Sequence, residues 1–185
     1  MESSRLIYRK LQGSDFEVFN SLYSNPAVMK YAYSDCLNSS EEALEAFKST
    51  LEHQDSRHSC CEYVALLRNG NQAVGIVDYD VLLEHDHGGI LEIGYFIKPE
   101  YWGQGFGVEM AGALIDEVFG NTKVHKIVAS CNSNNGKSEH IMQKLGMTKE
   151  GIFRKVRYKN NRWEDEIKYG LLKEEWVLRQ KEAGR

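Results

Sequence analysis

Three glycines at alternate positions, Gly103, Gly105 and Gly107, follow an apolar segment running from Glu92 to Ile97 and open a second one that reaches Phe119. Glycine takes backbone conformations closed to other residues and has no Cβ to block a ligand. Several main-chain N–H groups of such a loop can therefore converge on phosphate oxygens. A helix starting there adds free N–H groups and the positive end of its dipole. Residues 92–119 thus read as strand, glycine-rich turn and helix, the parts of an anion cradle. Three glycines alone leave open the alternative of a turn that merely changes direction.

The residues around the glycines exclude two kinds of phosphate site. A P-loop needs Lys-Ser/Thr after its last glycine, and Phe106-Gly107-Val108-Glu109 stands there instead. The dinucleotide fingerprint Gly-x-Gly-x-x-Gly fails in both registers, because its third glycine falls on Val108 or on Met110. A mononucleotide kinase and a Rossmann dehydrogenase are both disfavoured.

The run IGYFIKPEYWGQGFGVEM, residues 93–110, resembles the acetyl-coenzyme A motif of the GNAT N-acetyltransferases. The branch it is similar to is that of the ribosomal-protein N-terminal (alanine/serine) acetyltransferases. Asn135-Gly136-Lys137-Ser138, Lys144-Leu145-Gly146-Met147 and Glu150-Gly151 continue the likeness, as do Ser24-Asn25-Pro26 and the stretch from Leu171 to Trp176. The resemblance implies an α+β GNAT fold, a mixed, mostly antiparallel twisted sheet of about seven strands flanked by helices. Its fourth and fifth strands, here Ile90 to Ile97 and Ile127 to Asn132, would splay apart to admit acetyl-coenzyme A. It also implies that the backbone of Trp102, Gly103, Gln104, Gly105, Phe106, Gly107 and Val108 holds the pyrophosphate. Phe96 and Ile97 would pair with the pantetheine arm and polarise the carbonyl, and Asn132, Asn135 and Ser138 would complete the donor site.

Acetyl transfer to an amine needs a neutral nucleophile, so a base must remove a proton from the acceptor ammonium, directly or through water. Glu92 is the first candidate. Strand alternation places it with Gly94 and Phe96 on one face, opposite Ile93, Tyr95 and Ile97, and some GNAT enzymes carry a basic carboxylate on this strand. A carboxylate at a solvated strand end is the competing reading. Ser138 matches the serine that protonates the departing thiolate in the resembled branch, although it could equally be a helix N-cap. Where that branch uses a glutamate base in the strand after Gly146, this chain has Arg157. Arg154, Arg157 and Lys159 make that strand basic, with a solvated basic strand as the expected arrangement.

The acceptor is accordingly expected to be a primary amine, a protein N-terminus or a small amine such as a polyamine or aminoglycoside. The alternative is a catalytically silent coenzyme A-binding module acting as sensor or assembly partner. The expected partners are acetyl-coenzyme A and the amine, with a homodimer left open. Composition narrows the rest. The 185 residues, 42% hydrophobic and 27% charged, suit one globular domain over 1–185. A net charge of −4 argues against nucleic acid. No secretory signal and no apolar run of ~18 residues lead to the expectation of a cytoplasmic protein without a membrane partner. Cys36, Cys60, Cys61 and Cys131 have neither zinc spacing nor disulfide density, and no metal is expected at His85-Asp86-His87.

The elements that must position these groups follow from pattern. Ser14 to Glu17 has the form of a capping box before a helix reaching Ser24, and Ser39 to Glu42 repeats it before Ala43, Leu44, Phe47 and Leu51 on one helical face. Residues 62–67 and 73–79 form a hairpin about Asn69-Gly70. A third strand runs to the His85–Gly89 tip and returns as 90–97. Met110, Ala111, Leu114, Ile115 and Val118 form a core stripe. A helix spans 138–145, residues 152–159 and 166–172 form a hairpin about Asn160-Asn161, and a last helix passes through Trp176. The aromatic-rich segment 26–38 could line a substrate pocket or cover the sheet.

Overall fold

The computed structural model describes residues 1–54, 61–70, 72–159, 161–182 and 184. The elements run β1 (Leu6–Lys10), α1 (Phe16–Tyr23), α2 (Pro26–Met29), α3 (Ser40–Gln54), β2 (Cys61–Leu67), β3 (Ala73–Leu83), β4 (Ile90–Ile97), α4 (Phe106–Asn121), β5 (Lys126–Asn132), α5 (Gly136–Lys144), β6 (Thr148–Lys159), β7 (Arg162–Leu172) and α6 (Lys173–Glu182). The strands form one seven-stranded sheet in the order β1-β2-β3-β4-β5-β7-β6. Every neighbouring pair is antiparallel except β4 and β5, which run parallel. This is the α+β architecture expected from the sequence.

Alternation along the strands divides the core into two layers. Ala65, Val77, Ile93, Ile127, Ala129 and Ile167 face α4 and α5, where Met110, Leu114, Val118 and Met142 meet them. Val64, Leu66 and Ile76 face the other way, onto Phe19 and Leu22 of α1 and Phe47 of α3. Burying each of the Val, Leu, Ile, Met and Phe side chains among these stabilises by ~1.5–3 kcal/mol, so both faces of the sheet are committed. The core stripe read for α4 is buried as expected.

Three local readings change. The capping box expected at Ser14 is absent: the Asp15 carboxylate accepts from Gln12 N at 2.8 Å and pairs with Arg9 at 2.5 Å, because a 3-10 turn precedes α1. Leu44 is exposed, while Ala43 and Phe47 from the same stripe are buried. The final hairpin is longer than expected, since β6 begins at Thr148 and β7 at Arg162. By contrast Ser39 does cap α3, its Oγ accepting from Glu42 N at 3.1 Å. Cys36, Cys61 and Cys131 are free thiols; Cys60 lies outside the described residues, as do Asn71 and Asn160 of the two expected turns. No helix among the described residues is long and apolar enough to cross a membrane.

Candidate active site

β4 and β5 pair at only three positions, Ile90 with Lys126, Leu91 with Ile127 and Glu92 with Val128. Beyond Glu92 the strands part, and a cavity of about 1210 Å³ occupies the opening between Ile93–Ile97 of β4 and Ala129–Cys131 of β5. Glu92 sits where the fork closes, and Ser130 Oγ donates to its Oε1 at 2.5 Å.

One arm of the cavity is the glycine loop. Gly103 and Gly105 have φ of +73° and +82°, a left-handed backbone that favours glycine. The first hydrogen bond into α4 is Glu109 N to Gly105 O, 3.1 Å. The N–H groups of Phe106, Gly107 and Val108 therefore lack intrahelical acceptors and stand at the positive end of a helix of 16 residues. Gly107 serves a different need. A Cβ there would lie 2.6 Å from Ile141 Cδ1 and 2.9 Å from Ile97 Cδ1, so its absence lets α4 pack against α5 and β4. The loop is braced from the chain's start by Arg5, whose Nε pairs with Glu109 at 2.6 Å, whose Nη1 donates to Gln104 O at 3.0 Å and whose guanidinium lies over Phe106 at 4.0 Å.

Two expected donor-site residues change position. Lys98 N donates to Val74 O, and antiparallel pairs alternate. The main chain of Phe96 is therefore turned toward β3, whereas that of Tyr95 and Ile97 faces the gap. Phe96 contributes only its ring, which packs 5.0 Å from that of Tyr23. The Ile97 carbonyl already accepts from Trp102 Nε1 at 2.7 Å, so the indole folds back over β4. Asn132 does not line the cavity. It is buried, donates to Glu164 and accepts from Asn134 N at 2.9 Å, bracing the turn into α5. The Gln104 side chain donates to Glu100 O at 2.8 Å.

Ser138 is not the N-cap of α5. Asn135 is, its Oδ1 accepting from Ser138 N at 3.2 Å. This frees Ser138 Oγ to meet the Tyr95 hydroxyl at 2.8 Å beside Cys131 on the cavity wall. Burial raises the pKa values of both the Tyr95 phenol and the Cys131 thiol, the latter to about 11. Both stay protonated, and the Tyr95 hydroxyl orients that of Ser138. Tyr95 was legible only as a strand residue on the α5 side; its contact with Ser138 has no sequence signal.

The other arm is acidic. Asp78, Asp80 and Glu92 line it together. Asp78 lies opposite Gly94, Asp80 opposite Glu92, and Glu62 of β2 opposite Asp78. Desolvation, with the carboxylates of Asp80 and Glu92 adding to it, pushes Asp78 up to about 7. Glu62, only 8% exposed, is pushed up to about 8 by desolvation, Asp78 and Asp80. The expected solvated basic strand is corrected by β6. Arg154 is exposed, but Arg157 and Lys159 are buried and tie down the segment after α2. Arg157 Nη1 donates to Tyr31 O at 2.9 Å, its guanidinium lies 3.3 Å from the Tyr33 ring centroid, and its Nε is 2.9 Å from Glu166 Oε2. Lys159 Nζ donates to Ser34 O and lies 3.1 Å from Asp35. The segment 26–35 is thereby held over the acidic arm, with Lys30, Tyr31 and Tyr33 on the cavity wall. Among the described residues no group of three or more His, Cys, Asp or Glu is placed to hold a metal.

A family profile described as acetyltransferase (GNAT) domain matches residues 5–148. The uncharacterized N-acetyltransferase YnaD of Bacillus subtilis is 31% identical over 175 residues, 94% of this chain and 97% of that protein. The spermidine N(1)-acetyltransferase of Escherichia coli K12 is 25% identical over 178 residues, 96% of this chain and 91% of that protein. Among solved structures, the spermidine N-acetyltransferase of Vibrio cholerae in complex with CoA and spermine superposes with a TM-score of 0.82 at 22% identity, covering 95% of this chain and 99% of that one.

Proposed function

The chain belongs to the GNAT acetyltransferase family, acyltransferases that draw on acetyl-coenzyme A, and we propose that it acetylates a primary amine arriving as a cation. The observation that carries this reading is the polarity of the cavity. One arm ends in unpaired helix N–H groups suited to phosphate, and the other is lined by Asp78, Asp80 and Glu92, suited to ammonium. Carboxylates attract and orient cationic acceptors, most strongly at low ionic strength. A diamine or polyamine, the class on which the E. coli relative acts by name, matches several carboxylates in a row better than a single charge does.

In this scheme the loop from Trp102 to Val108 holds the pyrophosphate. The main chain of Tyr95 and Ile97 borders the pantetheine and thioester, and an N–H there stabilises negative charge on the carbonyl oxygen. Glu92 receives the acceptor's ammonium at the closed end of the fork and removes its proton, directly or through water. The nitrogen lone pair then attacks, the C–S bond breaks, the thiolate takes a proton from Ser138, and the nitrogen's second proton restores that of Ser138, whose hydroxyl Tyr95 holds in place. An amine panel scored by free-thiol release tests this. The expected order is polyamines and diamines above monoamines, with anionic amines lowest. Thiol release for no amine, with coenzyme A still bound, would identify a silent binding module instead.

A further inference from the structure

Asp78 takes no part in proton transfer in the scheme above, and Glu62 has no role in it. Asp78 stands directly across β4 from Gly94, and its carboxylate fills the space a side chain there would take: a Cβ on Gly94 would lie 2.5 Å from Asp78 Oδ1. Asp78 is half-buried and opens on the cavity. Behind it on β2, Glu62 is buried and its Oε2 has no hydrogen-bond partner among the described residues. Asp80 and Glu92 face Asp78 from β3 and β4, while Lys30, Tyr31 and Tyr33 from the segment around α2 and Arg157 from β6 border the same cavity. Among the described residues, burial and the two neighbouring carboxylates are what shift the titration of Asp78.

Resting on the acetyl-transfer reading, we propose that Asp78 is a proton-accepting residue of the reaction, receiving the acceptor's proton from Glu92 or from water and returning it to solvent. The reaction consumes a primary ammonium and a thioester and yields an amide, a thiol and one free proton. Of the two protons the nitrogen loses, one ends on the thiol and the other must leave the site. A carboxylate that titrates near neutrality can accept a proton in one step and release it before the next. Asp78, pushed up to about 7, meets that condition. Glu62, pushed up to about 8, stays largely protonated behind it at neutral pH and adds little further charge.

The test is the pH profile of kcat/KM for the best amine of the panel, with coenzyme A binding measured in parallel as a check on folding. The wild type is expected to show a limb with an apparent pKa near 7, below the titration of the amine itself. Asp78→Asn should lose that limb and about 100-fold or more in rate near neutral pH, with coenzyme A affinity unchanged. Asp80→Asn should move the limb to lower pH, because the Asp80 carboxylate is one cause of the raised pKa. A limb that survives in Asp78→Asn at near wild-type rate, or its absence from an active wild type, overturns the proposal. A wild type that acetylates no amine fails the underlying reading instead, which keeps the two failures apart.

Discussion

Glu62→Gln removes a buried carboxyl without changing its shape, and the effect on stability is worked from its surroundings. Burial and the charges of Asp78 and Asp80 lift Glu62 from 4.5 to about 8 in the folded state. A pKa raised by folding contributes stability that is fully present below the unfolded value and is lost as pH rises through the folded one. Each pKa unit corresponds to ~1.36 kcal/mol, so between pH 6 and pH 8 the folded state loses about 2 kcal/mol through this group alone. For a chain of 185 residues, that loss lowers the melting temperature by about 4–8 °C. Thermal melting across this pH range, wild type against Glu62→Gln, is the assay. The variant's curve should be markedly flatter, though not flat, because Asp78 titrates in the same direction and remains. Parallel curves for the two proteins would refute the reasoning, since they would mean that Glu62 is not forced to hold its proton by the fold.

Acetyl-coenzyme A should raise the wild-type melting temperature, by mass action worth ~2.7 kcal/mol at a hundredfold excess over Kd. Gly105→Val, at φ +82°, should abolish the shift; a wild type with no ligand-dependent shift removes the donor site. Ser138→Ala should lower turnover far more than coenzyme A affinity, and because Asn135 rather than Ser138 caps α5, its stability should fall only by the ~0.5–1.5 kcal/mol of the hydrogen bond to Tyr95. Unchanged turnover in that variant rules out the proton-donor role. Glu92→Gln should cut the rate by ~100- to 10,000-fold near neutral pH, with the deficit shrinking as alkali supplies neutral amine; a deficit constant across pH would move the base elsewhere.

What the sequence determined by itself was the local chemistry and its order. The strand, the glycine loop and the helix start at Phe106 follow from residue types at neighbouring positions, because backbone freedom at Gly103 and Gly105 and helix-end polarity are local properties. The alternation that sets Glu92, Gly94 and Phe96 apart from Tyr95 and Ile97 is local too. Most elements were legible for the same reason. The solvated basic strand failed because a non-local partner intervened: Arg157 and Lys159 are drawn inward by the segment after α2.

Only the tertiary structure decided what stands next to what. Strand register is a long-range choice, and it alone sets Glu62, Asp78, Asp80 and Glu92 side by side on one face. Without register, Asp78 and Asp80 were two charges in an unremarked strand. The same holds for Ser138, whose two readings could not be separated until Asn135 took the cap and Tyr95 came within 2.8 Å of its hydroxyl. The depth of burial that raises Asp78 and Glu62 is likewise a property of the whole packed domain. A carboxyl's pKa depends on the water and charges around it, and these are supplied by strands far apart in the chain.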